Sequence, residues 1–272
     1  PAGRGYQAAV ERSAAGIESL ADWLTDEKTP AMNMSGIERS VILFVTLAVI
    51  AGVALWIGTD NRRYYRTIAI TGALTLVLIV LGAFVRLSDA GLGCPDWPGC
   101  YGNLTPAHSV SEIREAEAIQ PGGPVSLAKA WKEMVHRYLA MIVGALIAAI
   151  MFGAWRNRRR WNQSPMLPSV IAGAVIFQAA LGAWTVTMLL KPAIVTSHLL
   201  GGITILGLLV WLLYRQASTQ SWATGIMPSG SLRLWGGIAL ATLFSQIVLG
   251  GWVSTNYAAL ACTDFPTCHG VW

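Results

Sequence analysis

The chain has 272 residues, is 54% hydrophobic and only 12% charged, and carries a net charge of +5. A soluble domain is roughly 25% charged, so this composition excludes an ordinary water-soluble globule. That net charge is read largely as a membrane topology signal, from arginines in three loops between apolar stretches, and so argues against nucleic-acid binding.

In chain order, residues 1–39 are polar, show no signal-peptide pattern and are read as a weakly amphipathic or disordered extension. Six apolar stretches follow, at about 40–58, 67–86, 134–155, 167–189, 194–214 and 232–254. Each is long enough to cross a hydrocarbon core of about 30 Å, which takes about 20 helical residues. Small residues such as Gly144, Ala145, Gly201 and Gly202 allow close helix packing, so a bundle is expected rather than separate anchors. The fold class is therefore an all-α integral membrane protein. Arg62, Arg63 and Arg66 precede the second span, Arg156 and Arg158–Arg160 follow the third, and Arg215 and Arg233 flank the loop before the sixth. The positive-inside rule makes these three loops cytoplasmic and the intervening ones extracytoplasmic.

Two segments 168 residues apart are copies. LGAFVRLSDAGLGCPDWPGCYG at 81–102 and LGGWVSTNYAALACTDFPTCHG at 249–270 align without a gap, with 10 of 22 positions identical. Each runs off a helix end into a Cys-x5-Cys loop, Cys94/Cys100 and Cys262/Cys268, on the predicted outer side. Such a pattern indicates duplication. It divides the chain into the extension at 1–39, an extra helix at 40–58, a four-helix unit at 59–214, and a linker plus the start of a second unit at 215–272. Paired thiols oxidise in extracytoplasmic compartments, and each pair reads either as a structural disulfide or as a redox-active relay. The spacing is wider than that of usual zinc pairs.

Of four histidines, His108 lies among polar residues of the 87–130 loop, and His269 follows Cys268 at the position matching Tyr101. His136 and His198 fall about one turn inside the third and fifth spans, at one depth near the outer leaflet. Two imidazoles at one level on two helices can grip a planar metal macrocycle from both sides. The competing account is a pair of interfacial histidines bonded to loop backbone. Glu133, three residues before His136, lies on the same helix face and serves either as a base or electrostatic stabiliser beside a macrocycle, or as a first-turn acid favoured by the helix dipole. Arg86, Arg137 and Lys191 gather at the outer span ends, where they pair with haem propionates or snorkel to headgroups. Trp184 and Trp252, in matching LGAW and LGGW motifs, suit an interfacial aromatic belt.

GAFVRLSDAGLGCPDWPGCYG, the EMVHR block at 133–137, VTSHLLGG at 195–202 and GGWVSTNYAALACTDFPTCHG together resemble the haem A synthase family of cytochrome oxidase assembly proteins. The resemblance covers residues 66–272. It implies two similar four-helix units, with substrate haem O in the N-terminal one and a haem b cofactor in the C-terminal one. It implies oxidation of a haem O methyl to a formyl group, giving haem A, with His136 and His198 as iron ligands and Glu133 as the functional carboxylate. The implied setting is the inner (plasma) membrane and its lipid bilayer, with haem O synthase and cytochrome oxidase assembly factors as partners. Applying the 168-residue offset to His136 and His198 predicts a second pair near positions 304 and 366, beyond Trp272, so the chain alone is expected not to turn over. The competing functions are a membrane thiol–quinone oxidoreductase, which needs the cysteines but not His136, His198 or Glu133, and a non-enzymatic haem-binding electron-transfer protein or haem carrier.

Overall fold

The computed structural model describes residues 36–218 and 229–270, except 260, 263, 265, 266 and 269. Most of the extension read at 1–39, part of the linker and His269 therefore lie outside the described residues.

Six long helices correspond to the six apolar stretches: α1 (Gly36–Ile57), α2 (Asn61–Leu87), α4 (Leu127–Asn157), α5 (Met166–Thr187), α6 (Pro192–Ser218) and α7 (Gly230–Thr255). A short helix, α3 (Val110–Ile119), interrupts the loop between α2 and α4. There is no strand among the described residues, and all six long helices are apolar enough to span a bilayer. The chain is an all-α, multi-pass membrane protein.

Two helices begin well before their apolar stretches, because hydrogen bonding runs on to the cap while hydropathy reports only the hydrocarbon zone. Asp60 caps α2 by accepting from Arg62 N at 2.8 Å, and Ser126 caps α4 by accepting from Lys129 N at 3.3 Å. His136 consequently lies nine residues inside α4 rather than one turn, about 13 Å from its start. At α6 the chain restarts on Pro192, whose fixed φ suits a first helical position. The four-residue connection before it turns through two left-handed leucines, Leu189 (φ 49°) and Leu190 (φ 58°).

α2, α4, α5 and α6 form a ring of four: α2 and α5 each pack against both α4 and α6. The two histidine-bearing helices, α4 and α6, thus lie diagonally across the bundle and run in the same direction. α1 packs mainly on α4 and α7 on α6. At the end away from the cysteine loop, Tyr64, Ile68, Ile147, Ile150, Ile171 and Leu209 form a packed core. Beside it Thr67, Thr71 and Thr75 are buried on α2, and each hydroxyl donates to its own i−4 carbonyl at 2.7–2.9 Å. That satisfies the hydroxyls without a partner helix. At the opposite end, Cys94, Cys100, Ile113, Val125, Ala130 and Met134 pack the loop onto α4. Val143 and Ile205, the first members of the far core on α4 and α6, each come seven residues after the histidine of their helix. Both histidines therefore stand about 10 Å above that core, at matching depth.

α3 is a helix that a loop reading of 87–130 does not anticipate. Ile113 and Ala116, three residues apart, are buried while Glu112, Arg114, Glu115 and Glu117 stay outside or at the rim. Its apolar face is too short to stand out against the polar background. α1 is fixed to the same loop by Glu38, whose Oε1 accepts from Leu104 N at 2.9 Å.

Candidate haem site and the loop that covers it

Glu133 and Arg137 are one helical turn apart on α4, so their side chains lie on one face. Both are buried, at 5% and 8% exposure, and they form an ion pair. The remaining valences are taken by the cysteine loop. Glu133 Oε2 accepts from Cys94 N at 2.9 Å. Arg137 donates to the carbonyls of Asp96 (2.7 Å), Cys94 (3.2 Å) and Gly99. The Cys94–Cys100 disulfide thus closes a ring of backbone around the guanidinium. A buried charge pair is tolerable only when its other donors and acceptors are satisfied, and here the loop backbone does that. At Gly93 an added Cβ would stand 2.7 Å from Ala130 N, so the loop meets α4 where a side chain has no room. Tyr101 is buried beside this pair. Desolvation raises its phenol above the ordinary range, and the carboxylates of Asp96, Glu133 and Glu112 add to the shift.

The second copy folds alike where it is described. Cys262 and Cys268 are disulfide-bonded. Asp96 Oδ2 accepts from Gly102 N at 2.9 Å, and Asp264 Oδ2 accepts from Gly270 N at 2.8 Å. Both glycines have φ 75°. The sequence identity across the copies therefore preserves a particular turn. Replacing Cys94 and Cys100 together by Ser is expected to cost roughly 2 kcal/mol of stability on loop entropy. The readout is a lower melting midpoint in detergent, with the loop still held by Arg137.

The three cations expected at propionates differ in their surroundings. Arg137 is spent on Glu133 and the loop carbonyls. Arg86 donates to Ser254 O at 2.7 Å and lies over the Tyr257 ring, 4.3 Å from its centroid. Arg86 and Ser254 are equivalent positions of the two copies, 168 residues apart. Contact between equivalent positions is what a two-fold relation between them produces. Lys191 is exposed and has no side-chain partner among the described residues. Lys132, not singled out in the sequence, stands over the Phe84 ring at 5.1 Å.

His136 and His198 have half-buried rings whose Nδ1 atoms are fully buried without a hydrogen-bond partner among the described residues. The interfacial alternative, rings bonded to loop backbone, is not what their surroundings show. Gln178 on α5 donates to the His198 main-chain oxygen at 2.6 Å and not to its ring. The described residues contain no group of three or more His, Cys, Asp or Glu able to hold a bare metal ion. Two imidazoles would suit an iron whose other four ligands arrive with it, as in a haem. His108, by contrast, sits on an exposed turn beside Thr105, in keeping with a surface role.

A family described as cytochrome oxidase assembly protein matches residues 65–272. The chain belongs to this family. Among curated relatives it is 44% identical over 205 residues to a protein named heme A synthase from Shewanella oneidensis, covering 75% of this chain and 60% of the relative. Relatives of the same name from Halalkalibacterium halodurans (26% identical, 76% of this chain, 66% of the relative) and Ruegeria pomeroyi (27%, 75% and 59%) also match. The chain thus spans 59–66% of the length of these relatives. No solved structure matches it significantly. Family membership is consistent with the four-helix ring and the paired loops. Three neighbours of the histidines, Gly82, Gly182 and Gln178, escaped the sequence reading. The signal for the two glycines is the recurrence of LGAF at 81–84 in LGAW at 181–184, and Gln178 has none.

Proposed function

We infer that this chain carries the substrate-binding unit of a haem A synthase, and that haem O binds between His136 and His198. The observation that carries this reading is the pair of imidazoles at matching depth on diagonal helices, with buried, unpartnered Nδ1 atoms. The relatives' name supplies the chemistry. Methyl oxidation to formyl balances as R–CH3 + H2O → R–CHO + 4 H+ + 4 e−, so the site must hold the ring, admit water and pass on protons and electrons.

In this reading residues 59–214 form the N-terminal unit, and residues 215–272 begin a second unit that belongs with a haem b site. His136 and His198 bind and orient the ring. Glu133, charge-balanced by Arg137 and three residues before His136 on the same helix, would offset positive charge developing at the methyl. The Arg137-filled cysteine loop closes that end of the bundle and keeps bulk water out. Lys191, Arg86 and Lys132 supply positive charge at the same end for the propionates. The basic clusters at the other end support a cytoplasmic face there, with both cysteine loops on the extracytoplasmic side of the plasma membrane. Haem O synthase and cytochrome oxidase assembly factors fit as donor and recipient.

Glu133→Gln tests the enzymatic role. The amide retains an acceptor for Cys94 N but leaves the buried guanidinium without its counter-charge, so the variant is expected to melt lower than wild type, and formyl yield is read per haem-loaded protein. Formyl production in cells making haem O should fall by roughly two orders of magnitude, the usual scale for losing one electrostatic stabiliser. Extracted haems are measured by chromatography. Undiminished haem A would remove Glu133 from the chemistry. Wild-type protein carrying only unmodified haem would favour a carrier.

A further inference from the structure

Both histidine rings rest against a glycine of the neighbouring helix, and the two contacts match atom for atom. A Cβ built on Gly82 of α2 would lie 2.9 Å from His136 Cε1 and 3.6 Å from each ring nitrogen. One built on Gly182 of α5 would lie 3.1 Å from His198 Cε1 and 3.8 Å from each nitrogen. Equal distances to the two nitrogens mean that the Cε1 edge points straight at the glycine. Real Cβ atoms essentially never approach within 3.0 Å, so any side chain at Gly82 displaces the His136 ring, and one at Gly182 crowds the His198 ring. Gly82 and Gly182 occupy the same place in LGAF and LGAW.

We propose that Gly82 and Gly182 are positioning residues that set the orientation of the two haem-ligating imidazoles, one glycine for each ligand. The proposal rests on the haem-binding reading. With no hydrogen bond to either Nδ1, nothing polar fixes rotation of these rings; the flat glycine surface does so by contact. A methyl group at either position tilts the ring, and the bond that the ring makes to iron is sensitive to that tilt.

The test compares Gly82→Ala and Gly182→Ala with Gly72→Ala and Gly173→Ala, which lie on the same two helices where an added Cβ meets nothing within 4 Å. In the full-length protein in detergent, either seat variant is expected to lower the occupancy of haem O, separated from haem b by chromatography, about tenfold, the scale of losing a residue that orients a metal ligand. The residual haem should show an altered low-spin spectrum, and the two controls should match wild type. Unchanged occupancy and spectrum in Gly82→Ala would overturn the proposal.

Melting of the haem-free protein supplies a second reading that does not depend on haem. There Gly82→Ala should lower the midpoint when His136 is present. In a His136→Ala background it should raise the midpoint slightly, as Gly72→Ala does, because alanine is the better helix former. Equal destabilisation in both backgrounds would make the contact mere helix packing and refute the seat. If wild type binds no haem, the functional reading fails while this cycle still decides the contact.

Discussion

Full-length protein carrying His136→Ala or His198→Ala is expected to lose more than about tenfold in bound haem O, each variant to a similar extent. The symmetry of the expected loss follows from the structure. Each histidine is seven residues from the far core on its own helix, and each stands against a glycine of the adjoining one. Neither ring has a hydrogen bond to lose among the described residues, so each substitution removes a ligand and little else. Protein yield and helicity should stay near wild type, since trimming a half-buried ring leaves both packed ends of the bundle intact. Haem O and its products are separated from haem b by chromatography of the extracted haems and measured against protein concentration. Retention of full haem by either variant would mean that the ring binds elsewhere.

Arg137→Ala should be the most destabilising single substitution outside the far core, by about 3–5 kcal/mol, the scale for leaving one member of a buried ion pair without its partner. It abandons Glu133 in a site sealed by the disulfide loop and strips three loop carbonyls of their donor. Arg137→Lys should recover little, because an ammonium is a point charge and cannot span carbonyls on both sides of the ring. Replacing both charges, as in Glu133→Leu with Arg137→Leu, should be less harmful than Arg137→Ala alone. Cys94 N would then lack an acceptor, at about 1–3 kcal/mol. Thermal melting in detergent reads the series. Near-wild-type stability of Arg137→Ala would show that the guanidinium does not hold the loop.

The membrane spans, the duplicated cysteine block and the matching depth of His136 and His198 were legible in the sequence, because each is a strong local pattern: apolar length, gapless identity, and imidazole within apolar surroundings. The start of α4 was not, since Ser126 and the lysines after it continue the helix beyond the apolar stretch that marked it. Arg137 illustrates a deeper limit. A cation near a span end looks available for an anion, and only the folded loop reveals carbonyls of Cys94, Asp96 and Gly99 already surrounding it. The glycine seats were hidden for the same reason. Gly82 and Gly182 look like ordinary small packing residues until the rings across from them are in place.

Analysis of the haems extracted from membranes of cells that make haem O and express the full-length protein tests the central claim most directly. The account predicts haem A or its hydroxylated precursor with wild-type protein, and neither when His136 and His198 are both replaced by Ala. Wild-type protein present in the membrane with haem O unaltered would contradict it.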